Sequence, residues 1–84
     1  MSKEVLFFGA PEWCHACEVT EPIFRKVCEN ENIEHRVYDA DIDDDAIKQY
    51  SVRGVPTTIL LEDGTELKRK VGSYTAEQLK DFLK

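Results

Sequence analysis

The sequence predicts an α/β fold: a mixed four-stranded sheet flanked by three helices, in the order β-α-β-α-β-β-α. Three observations carry that prediction. The continuous apolar run VLFF at Val5–Phe8 is what a strand buried on both faces requires. A long stretch with apolar residues at helical spacing follows it after a short loop. Further on, a β-branched segment and an alternating one are separated by Asp63-Gly64, a strong two-residue hairpin signal.

Taken in order, Val5–Phe8 forms the first strand and the loop GAPEW leads into a helix from about His15 to Glu31. Thr20, Ile23, Phe24 and Val27 fall on one face of that helix, and Pro22 predicts a kink within it. IEHRVYD reads as a second strand, parallel to the first through a right-handed crossover. DADIDDDAIKQY is a polar loop running into a short helix with Ala46, Ile47 and Tyr50 as its apolar stripe. Asp43, Asp44 and Asp45 suit its first turn, where carboxylates favour the positive end of the helix dipole. Thr57–Leu61 is a β-branched strand, and the returning strand ELKRKV puts Leu67, Arg69 and Val71 on one face. The last helix opens with a capping box, Thr75 to Gln78, and carries Leu79, Phe82 and Leu83 on its apolar face.

With 84 residues, the chain is expected to be one domain, residues 1–84. A net charge of −6 argues against nucleic acid or an anionic membrane as the main partner, because both recruit basic surfaces. The apolar run near the start has no secretory cleavage pattern after it. No stretch approaches the roughly 18 apolar residues of a spanning helix. A soluble, cytoplasmic, monomeric protein is the expectation.

Chemistry concentrates in EWCHAC, residues 12–17. Cys14 falls at the start of the first helix, where unpaired backbone N–H groups and the dipole stabilise a thiolate, the nucleophilic form of cysteine. Cys17 lies one turn on and on the same face, close enough to close a disulfide with small rotamer changes. One sulfur sits at the helix tip and the other a turn deeper. Cys14 is therefore expected to attack a partner's disulfide and Cys17 to resolve the mixed disulfide that results.

The same C-x-x-C is also half of a zinc site, which needs four ligands. Cys28, His35 and His15 are the remaining candidates. Cys28 lies about 16 Å further along the helix axis at 1.5 Å per residue, and His35 belongs near the far end of the fold. No metal is expected within one chain, although two chains could still bridge one. Cys28 reads as a small apolar residue on the helix flank, with a regulatory or dimer-forming thiol as the alternative.

APEWCHACEVTEPIF resembles the active-site segment of the thioredoxin family, with Trp13 before the cysteine pair and Pro22 eight residues past the first cysteine. YSVRGVPTTILLEDGTELKRKVGSYTAEQLKDFL is similar to the C-terminal half of that family. Val55-Pro56-Thr57 matches its cis-proline loop, and Lys70–Gly72 its second substrate-facing turn. The resemblance starts at what is the second strand of a full-length thioredoxin, giving a glutaredoxin-sized version. It implies a thioredoxin-like fold and a disulfide reductase that needs no cofactor beyond its reversible Cys14–Cys17 disulfide. Its substrates would be disulfide-containing proteins, and its electron donor an NADPH-dependent thioredoxin reductase or glutathione. It also implies a cis Pro56 lying against the disulfide, with the Val55 backbone free to pair with a substrate strand. Pro11, Trp13, Val55, Pro56 and Gly72 would form a small docking patch around it.

Departures from the family pattern are as informative. The buried Asp and the nearby Lys usual in thioredoxins are replaced by Phe7 or Phe8 and by Val37. No buried acid is then left to take the proton from Cys17, unless Glu12 does so through water. His15-Ala16 stands where Gly-Pro is usual. A histidine beside the Cys14 thiolate stabilises the reduced form and predicts a less reducing couple, about −250 to −200 mV. Two further functional readings stay open on the sequence alone: a glutathione-recharged, glutaredoxin-like reductase, and a non-catalytic thioredoxin-fold subunit of a larger complex. An oxidase or isomerase would need an oxidising compartment.

Overall fold

In the computed structural model, which describes residues 2–84, β1 (Lys3–Gly9), α1 (His15–Asn30), β2 (Glu34–Asp39), α2 (Asp44–Gln49), β3 (Thr57–Glu62), β4 (Thr65–Val71) and α3 (Ala76–Phe82) follow in the predicted order. The four strands form one sheet in the order β2-β1-β3-β4. β1 runs parallel to β2 and antiparallel to β3, and β3 is antiparallel to β4.

The apolar run of β1 is explained by its central place. Val5 and Phe7 point to one side, into a cluster with Phe24, Val27 and Cys28 of α1 and Leu79 and Leu83 at α3. Leu6 and Phe8 point to the other, against Ala46 of α2 and Ile59 and Leu61 of β3. The period of two along a strand thus feeds two cores at once. α1 runs unbroken through Pro22 and turns Cys17, Thr20, Phe24, Val27 and Cys28 inward. At the hairpin, Asp63 (φ 52°) and Gly64 (φ 83°) both adopt positive φ, as a two-residue turn matched to the strand twist requires. The Thr75–Gln78 capping box is complete.

The face of β4 carrying Leu67, Arg69 and Val71 is exposed, with Leu67 at 51% and Val71 at 67%. β4 is an edge strand. A register shift opposite Leu60 and Leu61 also leaves Leu67 out of the pairing. Arg69 reaches toward α2 instead, donating to the Tyr50 carbonyl at 2.6 Å while holding Glu66. One expectation is corrected, for Asp43. It stands at the N-cap of α2 but caps nothing; its Oδ2 accepts from the Asp39 N–H at 2.7 Å and ties the end of β2 to the loop. Asp44 and Asp45 do occupy the first turn.

Candidate active site

The loop between β1 and α1 is drawn tight by one acceptor. The Ala10 carbonyl takes the N–H groups of Trp13 (3.2 Å) and Cys14 (2.9 Å). Cys14 keeps an extended backbone (φ −104°, ψ 101°) and serves as N-cap of α1. Its Sγ accepts the Cys17 N–H at 3.1 Å, so a sulfur does what a Ser or Asp oxygen usually does at a helix start. This contact and the positive end of the helix stabilise negative charge on Cys14.

Cys14 and Cys17 form a disulfide, with Cα atoms 5.2 Å apart. Cys14 is half-buried, whereas Cys17 is 1% exposed. Cys17 closes on β1 where Gly9 provides the room: a Cβ at Gly9 would lie 3.3 Å from Cys17 Cβ and 2.9 Å from Phe7 Cε2. Phe7 therefore shares the Cys17 side of the sheet, with its ring 5.1 Å from Phe24. Phe8 lies on the other side, stacked on Tyr38. Val37 packs against the Phe7 cluster. The buried polar side chains of the described residues are Thr20, Thr57 and Thr58, with no carboxylate among them. Glu12 and His15 are exposed.

Trp13, 66% exposed, is held in place by its indole N–H, which donates to Asp41 Oδ2 at 2.9 Å. Trp13, Asp41, Arg53, Gly54 and Val55 line a shallow groove of about 230 Å³. The Val55–Pro56 peptide is cis. Pro56 is buried, and its carbonyl accepts the Gly72 N–H at 2.8 Å, which joins two of the predicted site positions. Pro11 is exposed in the tight loop.

Cys28 and His35 stand apart from the pair. His35 pairs in register with Val5, at the opposite end of β1 from Gly9, and its Nδ1–H donates to the Ile33 carbonyl at 2.9 Å. Cys28 is fully buried, and burial, with Glu29 adding, pushes its thiol up to about 12. Among the described residues no three His, Cys, Asp or Glu side chains gather as a metal site would require. Sequence reasoning missed Gly9 and Asp41. A buried indole or exposed Trp seeks an acceptor for its N–H, but nothing in the run Asp39–Asp45 marks Asp41 as that acceptor.

Compared with known proteins, residues 2–84 match the family model described as Thioredoxin. The chain belongs to the thioredoxin family. It is 33% identical to a thioredoxin of Buchnera aphidicola subsp. Baizongia pistaciae, over 96% of this chain and 76% of that one. It is 34% identical to a thioredoxin of Acidithiobacillus ferridurans, over 98% of this chain and 78% of that protein. Among solved structures, a mutant thioredoxin from Halobacterium salinarum superposes with a TM-score of 0.89 at 30% identity, covering 98% of this chain and 72% of the other. This thioredoxin-family chain is a thiol–disulfide oxidoreductase whose electron carrier is its own cysteine pair, with no added cofactor. Disulfides are its substrates, and a thioredoxin reductase is the partner its family implies. No helix among the described residues is long and apolar enough to cross a membrane.

Proposed function

We propose that Cys14 is the nucleophile and Cys17 the resolving cysteine of a small protein-disulfide reductase that works as a single, monomeric domain in the cytoplasm. The observation that carries this reading is the asymmetry of the pair. Cys14 stands half-buried at the helix tip, where its Sγ accepts the Cys17 N–H at 3.1 Å, whereas Cys17 is 1% exposed. In the reduced protein the Cys14 thiolate attacks one sulfur of a substrate disulfide and the other substrate sulfur leaves with the electron pair, taking a proton from solvent. The Cys17 thiolate then attacks Cys14 Sγ, and the remaining substrate sulfur leaves with the electron pair of the broken bond and takes a second proton from solvent. Two electrons pass to the substrate, and the pair ends as the disulfide seen here.

Pro11, Trp13, Val55, Pro56 and Gly72 are read as the docking patch. The groove shared by Trp13 and Val55 supports this, as does the Gly72–Pro56 hydrogen bond. An extended substrate segment would pair with the Val55 backbone by strand addition. His15, exposed at the first position of α1 and next to Cys14 in the chain, is read as the residue that tunes the couple.

The roles are tested by trapping. With a protein disulfide as substrate, Cys17→Ser should accumulate a mixed disulfide through Cys14, and Cys14→Ser should give neither adduct nor turnover. Equal trapping by both variants would refute the assignment. The electron donor is tested by equilibrating the couple with glutathione buffers. A potential near −270 mV points to an NADPH-dependent thioredoxin reductase, and one near −200 mV makes glutathione the donor. His15→Gly should lower the potential; an unchanged value removes His15 from the account.

A further inference from the structure

One buried polar atom takes no part in the chemistry described so far. Thr20 is fully buried on the inner face of α1, and its Oγ1 has no hydrogen-bond partner. The other two buried threonines are satisfied: Thr57 Oγ1 donates to the Gly54 carbonyl at 2.6 Å, and Thr58 Oγ1 shares a hydrogen bond with Tyr74 at 2.7 Å. An orphaned buried hydroxyl is unfavourable, and valine would fill the same space without it.

The place of Thr20 suggests where its hydroxyl is used. It lies three residues past Cys17, on the same inward face of the helix. Helical side chains lean toward the N-terminus, so Thr20 overlies the turn that carries Cys17. In the disulfide, Cys17 Sγ is bonded to Cys14 and bears no charge. Reduction turns it into a thiol or thiolate in a residue closed off from solvent and, toward β1, set against Gly9, which offers no side-chain donor.

We propose that Thr20 is the positioning residue of the resolving cysteine, its hydroxyl donating to Cys17 Sγ once the disulfide is open and holding the thiolate that attacks Cys14. This rests on the reading of Cys17 as the resolving residue. The hydroxyl replaces, by donation rather than by proton uptake, the acid absent from this interior; the Cys17 proton goes to solvent. From β1 no titratable group faces Cys17, because Phe7 and Gly9 occupy that side. Along its own helix and loop the titratable neighbours are Cys14, half-buried, and Glu12, His15 and Glu18, all exposed.

The test follows the reduced protein with DTNB in a Cys28→Ala background. Cys14 attack releases a first thionitrobenzoate in a bimolecular phase; Cys17 attack on the adduct releases a second in a unimolecular phase. Thr20→Val should leave the first phase unchanged and slow the second about tenfold at neutral pH. The pH midpoint of the second phase should rise by about one unit, and the rates should converge with wild type at high pH. Thr20→Ser should restore the wild-type midpoint. Thr20→Ala, which loses a methyl as well, should move the midpoint as Val does even if its stability falls. An unmoved midpoint in Val and Ala would overturn the proposal and leave Thr20 a core filler. A second phase that survives Cys17→Ser would instead overturn the assignment of Cys17, a separate failure.

Discussion

Gly9→Ala puts a methyl group into the contact on which Cys17 closes. The new Cβ would lie 2.9 Å from Phe7 Cε2, 3.3 Å from Cys17 Cβ and 3.6 Å from Cys17 Sγ. Carbon pairs prefer about 3.5–4.0 Å, so the first two contacts are too short. Phe7 has little freedom to retreat, since its ring is fully buried and packed on Phe24. Overpacking of this kind costs about 1–3 kcal/mol. For a domain of this size that lowers Tm by about 4–8 °C per kcal/mol, giving an expected fall of about 5–20 °C in the oxidised protein. The reduced protein should lose a similar amount, because the two short contacts, to Phe7 Cε2 and Cys17 Cβ, remain when Cys17 Sγ is freed from Cys14. The reduction potential should therefore stay within about 10 mV of wild type, at 30 mV per 1.4 kcal/mol. Thermal unfolding in both redox states and equilibration with glutathione buffers measure the two effects. A Tm within about 2 °C of wild type in both states would refute the packing argument. A loss confined to the oxidised state would refute the assignment of the strain to Phe7 and Cys17 Cβ.

Tyr74→Phe leaves the buried Thr58 hydroxyl without its 2.7 Å partner and should destabilise by about 1–3 kcal/mol in urea unfolding. Adding Thr58→Val should recover part of that loss, since both polar ends are then gone. Cys28 shapes the alkaline limit of stability in the oxidised protein. Burial raises its thiol from 9.0 to about 12, so the folded chain keeps a proton that the unfolded chain releases. Stability is therefore whole below pH 9 and falls as pH rises toward 12, with a slope of up to about 1.4 kcal/mol per pH unit. Cys28→Ala should flatten urea midpoints compared at pH 8, 9 and 10, and a slope unchanged by the variant would refute the assignment. Thr75→Ala removes the acceptor of the Gln78 N–H (3.2 Å) and should cost about 1 kcal/mol, seen as a Tm lower by about 4–8 °C.

Much of this molecule was legible along the chain because the signals are local. The C-x-x-C pair, the capping box and the Asp63-Gly64 turn each act over a few residues, and the structure realises all three. VLFF announced a central strand by being apolar on both faces, and β1 has a neighbour on each side. The lack of a buried acid was equally readable, since only Phe7, Phe8 and Val37 were available at the positions in question. β4 shows where local reading stops. Its alternation of Leu67, Arg69 and Val71 does not say whether a helix covers the face, and here Leu67 and Val71 stay exposed.

The sequence by itself determined the order of elements, the reactive pair and the direction of its asymmetry, because helix starts, turns and i, i+3 neighbours are set by residues close in the chain. Tertiary structure alone decided which distant groups meet them. Asp41 accepts from Trp13 across 28 positions, Gly9 makes room for Cys17, and the Thr20 hydroxyl is sealed in without a partner. Each of these depends on how α1 and the loops settle on the sheet, and packing of that kind leaves no periodic trace in one chain.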